Sequence, residues 1–155
     1  MAIDSRRVTA RIEGDFVVFL IGMRINRPWK IHTWLPVMGA MPRMLVELTA
    51  NPDSGLLGYE ARTFSRSPIL IQYWRSFEHL EHYAKDRAGA HYPAWKAFNQ
   101  AIGQNDDVGI WHETYRVSQY ENIYVNMPPM GLGKFGQRSE VAGMYNKAAA
   151  RLRQE

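Results

Sequence analysis

Two stretches of this chain hold the side chains best suited to chemistry. In the run Val108 to Val117, residues Trp111, Glu113, Tyr115 and Val117 alternate with Ile110, His112, Thr114 and Arg116. Period-two alternation is that of a strand, so Glu113 lies between two aromatic rings on one face. A carboxylate desolvated between aromatics is a candidate general acid or base, with Tyr115 beside it as a hydrogen-bond donor. The competing assignment is a structural ion pair with Arg24, Arg62 or Arg116. The second stretch is His91, which opens a helical run carrying Trp95, Phe98 and Ile102. An imidazole turned inward there would serve as a base or as an axial haem ligand; turned outward, it would only hydrogen-bond the preceding loop.

Other familiar chemistries find no support. The sequence has no Cys, which excludes a thiol nucleophile, Cys-ligated zinc and a disulfide framework. Gly131-Leu132-Gly133 lacks the third glycine and the strand–turn–helix setting of a nucleotide loop. His79-Glu81-His82 has neither an i, i+4 pair nor a third ligand, so no metal site is expected. No Ser stands beside a base in a recognisable nucleophile motif.

The elements that must position these groups follow from periodicity. Phe16 to Asn26 reads as a strand whose odd face (Val17, Phe19, Ile21, Met23, Ile25) is wholly apolar. Its even face is apolar only to Leu20 and then turns to Gly22, Arg24 and Asn26, which makes Arg24 and Asn26 pocket candidates or simply a strand end reaching water. Trp29 to Ala50 reads as helix with Met38, Met41, Leu45 and Leu48 on one stripe. Pro36 and Pro42 each remove a backbone donor, predicting a break into Trp29–Leu35 and a longer piece. Leu56 to Phe64 and Ile69 to Trp74 form a hairpin, and Ser76 caps a helix over Phe77, Leu80 and Ala84. Residues 1–14 are expected to form an irregular arm, residues 15–126 the main domain, and residues 127–155 a tail and helix packed on the domain or a partner. The Pro and Gly content of Tyr120 to Gly136 predicts no regular element there. Ser139 is placed to cap a last helix bearing Val141, Met144, Tyr145, Ala148 and Leu152.

The order β, α, β, β, α, β predicts an α+β, ferredoxin-like βαββαβ fold: one four-stranded antiparallel sheet with helices on one face. Strands apolar on both faces predict a homodimer through the uncovered face. At 155 residues the chain suits one such domain. The net charge of +4 is scattered, which argues against nucleic acid, and no apolar run approaches the roughly 20 residues that span a bilayer. Met1 to Glu13 lacks the apolar centre of a signal peptide, so no membrane partner and a cytoplasmic location are expected.

Particular residues also carry a family resemblance. Gly22-Met23-Arg24-Ile25-Asn26, Met41-Pro42-Arg43-Met44-Leu45, Tyr73-Trp74-Arg75-Ser76, His91 with Trp95, Gly109 through Tyr115, and Tyr120-Glu121 with Asn126-Met127-Pro128 resemble the dimeric α/β-barrel superfamily. That superfamily includes antibiotic-biosynthesis-type and haem-degrading monooxygenases. The nearer likeness is to a subgroup named after a monooxygenase of fumagillin biosynthesis. The resemblance implies a dimeric α/β barrel and a monooxygenase-like enzyme oxidising a small apolar or aromatic substrate between sheet and helices. It implies either no required cofactor or haem b. In the haem reading His91 is the axial ligand and Asn26 its strand partner, while the Trp of haem-degrading relatives falls near Tyr83. A non-catalytic small-molecule-binding dimer is the remaining alternative. The residues expected to act are His91, Glu113 and Tyr115, with Arg24, Asn26, Trp74, Trp95, Trp111, His112 and Tyr124 against the substrate.

Overall fold

The computed structural model describes residues 2–89, 91–101 and 106–153, the side chains of residues 91, 94, 97, 100 and 101 excepted. In chain order the elements are β1 (Asp4–Arg11), β2 (Phe16–Ile25), α1 (Ile31–Ala50), β3 (Leu56–Phe64), β4 (Ser67–Trp74), α2 (Phe77–Lys85), α3 (His91–Ala101), β5 (Val108–Val117), β6 (Tyr124–Met127), α4 (Leu132–Phe135), β7 (Gln137–Glu140) and α5 (Ala148–Leu152). Short 3-10 turns lie at Pro52–Ser54 and Gly143–Asn146.

The main sheet has the order β3-β4-β2-β5, antiparallel throughout, which is the ferredoxin-like arrangement. Its odd β2 face turns to the helices. Val17 joins Leu48 of α1, Trp74 of β4 and Leu80 of α2 in one buried cluster, with Phe19, Phe77 and Tyr83 packed against it. Met23, Ile25 and Val108 form a second cluster under Trp34 and Val37 of α1 and Phe98 of α3. The opposite face carries Val18 and Leu20 of β2 and Ile69 and Ile71 of β4, all only part-buried.

Helix α1 runs unbroken through both prolines, where the sequence predicts a division into Trp29–Leu35 and a longer piece. Each proline leaves the carbonyl four residues back without a donor, at His32 and Met38. Pro36, Pro42, His32 and Met38 are all exposed, so those carbonyls lie on the water side and the helix continues. The buried side is carried by Trp34, Val37, Leu45 and Leu48, and Met38 belongs to the outer surface.

The N-terminal arm is also regular. Strand β1 is the centre of a second sheet, β6-β1-β7, with Val8 and Ala10 buried. Its partners come from more than a hundred residues away, which local alternation cannot show. Asn122 extends the ladder with its side chain, accepting from the Ala10 N–H at 2.7 Å and donating to the Ala10 carbonyl at 2.8 Å. The tail therefore holds β6, α4 and β7, and Ser139 sits in β7 rather than capping a helix. The final helix α5 is five residues long, anchored by buried Arg151 on Glu121 at 2.7 Å and on the Tyr145 and Asn146 carbonyls.

The tail crosses one end of the open sheet face. Phe135 packs on Tyr73 with ring centroids 5.1 Å apart and lies directly against Gly58. A Cβ at position 58 would meet the Phe135 ring at 2.1 Å. Gly58→Ala is therefore expected to lift Phe135 and α4 off the sheet while the main sheet keeps its pairing. Limited proteolysis reads this as faster cleavage between residues 128 and 136; an unchanged cleavage rate would show that the contact does not hold the tail.

Candidate functional site

The sheet separates the residues that sequence spacing brings together. Strand β5 pairs with β2 so that Leu20 faces Glu113, Val18 faces Tyr115 and Gly22 faces Trp111. These are even β2 positions, so Trp111, Glu113 and Tyr115 share the open face with Arg24. His112, paired with Ile21, and Ile110, paired with Met23, turn to the helices. One strand thus feeds two sites on opposite sides of the sheet.

On the open face, Glu113 is exposed rather than desolvated between aromatics. An edge strand leaves its side chains little cover. Glu113 accepts a hydrogen bond from the Tyr115 hydroxyl, and that bond, ahead of desolvation, pushes the Tyr115 phenol above its ordinary value. None of the three arginines pairs with Glu113. Arg62 binds Glu60 at 3.1 Å, and Arg116 lies over the Phe77 ring on the helix side, 3.9 Å from Glu78. Trp111 lies flat on Gly22, where a Cβ would meet the indole nitrogen at 2.6 Å. Glycine is the residue that lets this ring reach the backbone.

On the helix side, α2 reaches the Arg116 end of β5 and α3 reaches the Val108 end through Phe98. Between them Ile110, His112 and Thr114 are uncovered. His112 packs on Phe19 with ring centroids 5.6 Å apart, in the middle of this opening. Trp95 of α3 is exposed and stacks loosely on Tyr92 at 6.1 Å. The His91 backbone starts α3, and its side chain lies outside the described residues.

Three further candidates have other duties. Trp74 is fully buried, donating from its indole nitrogen to Gln72 at 2.9 Å, and offers a ligand no surface. Asn26 donates its amide to the Asp106 carbonyl at 2.9 Å at the exposed end of the sheet. Tyr124 sits under the tail, its hydroxyl accepting from the Gly133 N–H at 2.9 Å, with burial raising its phenol.

The loop that begins β5 is held by a charge knot that sequence spacing does not reveal. Buried Asp107 accepts from Arg27 at 2.7 Å and from Lys30 at 3.0 Å. The Lys30 hydrogen bond, opposed by burial and seconded by Arg27, holds the carboxyl below its ordinary value of 3.8. A depressed folded-state pKa adds stability that is complete at neutral pH and is lost as pH falls below the ordinary value and through the folded one. The melting temperature is therefore expected to drop below about pH 4, and Asp107→Asn to flatten that limb while lowering the melt at neutral pH. Thermal melts across pH 2.5 to 7 on both proteins check it.

A half-open cleft of about 340 Å³ between the end of α1 and α2 is lined by Glu47, His79, His82, Tyr83 and Asp86, none of them a residue chosen from sequence. Burial, then the Glu47 charge, pushes the Tyr83 phenol up. No group of His, Asp and Glu suited to a metal ion occurs among the described residues.

The family model described as Monooxygenase af470-like matches residues 16–132. The chain belongs to that family. The match takes in the whole main sheet, both helix-side clusters and the tail as far as the start of α4. No curated protein sequence matches the chain. Among solved structures this family member is similar to the aldoxime dehydratase OxdRE in complex with butyraldoxime, at 16% identity and a TM-score of 0.70, over 86% of this chain and 41% of that one. A second aldoxime dehydratase structure matches at 18% identity and a TM-score of 0.61, over 95% and 43%. The chain thus spans about two-fifths of the dehydratases' length, and at these identities the likeness shows the shared fold. SnoaB, a cofactor-independent oxygenase from Streptomyces nogalater, matches at 13% identity over 69% of this chain and 97% of its own, with a TM-score of 0.49.

Proposed function

We propose that this protein is a monooxygenase-like enzyme oxidising a small apolar or aromatic substrate in the opening between β5 and the helices. The observation that carries the reading is His112, exposed on the helix side of the edge strand and seated on Phe19 between the ends of α2 and α3. Membership of the Monooxygenase af470-like family supports the reaction class. An electron-rich aromatic with an activated methylene needs only a base: the imidazole takes the C–H proton and the carbanion reduces O2. The hydroperoxide then collapses to a carbonyl and water, so the substrate is its own reductant. Phe19, Ile110 and Phe98 supply an apolar wall, the setting in which small-molecule sites form. Helix α3, which carries Trp95 and begins at His91, packs on the same side. Glu113, Tyr115 and Arg24 belong to the other face. The test is oxygen uptake with hydroxylated polycyclic aromatic ketones that carry an activated ring methylene, wild type against His112→Gln; equal uptake by both proteins would remove His112 from the reaction.

The open face, short of Arg24 at its far end, is the surface for a second copy. Val18, Leu20, Ile69 and Ile71 lie there part-buried beside Trp111, and the tail covers only the Tyr73 end. A homodimer at micromolar concentration is the expected result of light scattering, and a monomer there would exclude this face as a stable interface.

A further inference from the structure

One end of the molecule gathers large exposed apolar side chains that neither the fold nor the proposed reaction uses. Trp29 is 72% exposed, Phe64 68% and Ile31 55%, and Leu35 follows Ile31 one turn along α1. Two backbone links bring them to the same end. The Ile25 N–H donates to the Arg66 carbonyl at 2.9 Å, tying the tip of the β3–β4 hairpin to the end of β2. The Asn26 and Arg27 N–H groups donate to the Asp107 carbonyl, so the chain turns there before Trp29 and α1. Ser65, at φ +53°, makes the hairpin turn that holds Phe64 at its tip.

The charges around this end are unequal. Arg27 and Lys30 are balanced by Asp106 and Asp107, and Arg62 by Glu60. Arg24 and Arg66 are exposed at the same end, beyond those balanced pairs, and give it a positive excess. Aromatic side chains beside arginines suit a bilayer surface. Rings enter the headgroup boundary, and guanidinium groups meet anionic phosphates while their stems stay in apolar surroundings. No helix among the described residues is long and apolar enough to cross a membrane. The expectation of no membrane partner rested on the lack of a spanning run and of a signal peptide's apolar centre, and surface docking needs neither.

We infer that this end of the protein docks on an anionic lipid surface, with Trp29, Phe64 and Ile31 entering the headgroup boundary and Arg24 and Arg66 meeting lipid phosphates. The experiment is co-sedimentation of the full chain with phosphatidylcholine vesicles, with and without phosphatidylglycerol, at low salt. Sedimentation with the anionic vesicles only is expected. Trp29→Ser with Phe64→Ser, and separately Arg24→Gln with Arg66→Gln, should each lower the bound fraction roughly tenfold or more, given the usual contribution of each basic residue near such a surface. Should a double variant fail to fold, quenching of tryptophan fluorescence by brominated lipid decides: wild type is quenched and Trp29→Phe is not. No sedimentation with anionic vesicles overturns the inference. So does binding that neither pair of substitutions changes. Absence of vesicle binding together with a changed oligomeric state in the aromatic variant would assign the patch to contact between copies instead.

Discussion

Trp74→Ala is expected to lower the stability of the fold by about 3–5 kcal/mol, the range for truncating a buried large aromatic. Trp74 has no exposed surface and closes the cluster of Val17, Leu48 and Leu80, with Tyr83 at a ring distance of 6.0 Å. The substitution leaves a cavity at the junction of β2, β4, α1 and α2. It also takes the indole donor from Gln72, which is buried beside it. Trp74→Phe separates the two effects. It keeps most of the packing and leaves the Gln72 carbonyl unsatisfied, at a cost of about 1–3 kcal/mol. Urea unfolding of the three proteins reads both steps. Unchanged stability with weakened ligand binding would return Trp74 to the substrate wall, where its aromatic character alone had placed it.

The second large effect is expected at His112. His112→Gln should lower turnover by about 100-fold, the lower range for a general base, with the melting temperature nearly unchanged because the ring is exposed. Glu113→Gln, one residue along, should leave turnover close to wild type. Its carboxylate lies on the opposite face and forms no ion pair with Arg24, Arg62 or Arg116, so the neighbouring variant is an internal control. Initial rates of oxygen consumption, with melts on each protein, check the pair. A large loss of turnover in Glu113→Gln and none in His112→Gln would move the reaction to the open face, the surface proposed for a second copy.

These two expectations mark how far sequence reading carries. The period-two pattern of Phe16 to Ile25 and Val108 to Val117 was enough to identify two strands and to group Trp111 with Glu113 and Tyr115. It could not tell which face meets the helices. Both faces of β5 are mixed, because an edge strand buries little on either side. The pairing of Leu20 with Glu113 decides the matter, and pairing is a relation between segments more than ninety residues apart. The same limit explains Trp74. An aromatic at the end of a strand reads alike whether it lines a pocket or fills a core.

The sequence by itself determined the βαββαβ order, the wholly apolar β2 face, the Ser76 cap of α2 and the extents of β3 and β5, because each is written in local periodicity or turn chemistry. Only the tertiary structure decided that β1 is a strand, since its ladder is completed by β6 and β7. Only it showed α1 unbroken, because whether a proline breaks a helix depends on where the orphaned carbonyl points. And only it split the candidate site in two: spacing along the chain says which side chains share a face, while register across the sheet says what that face sees.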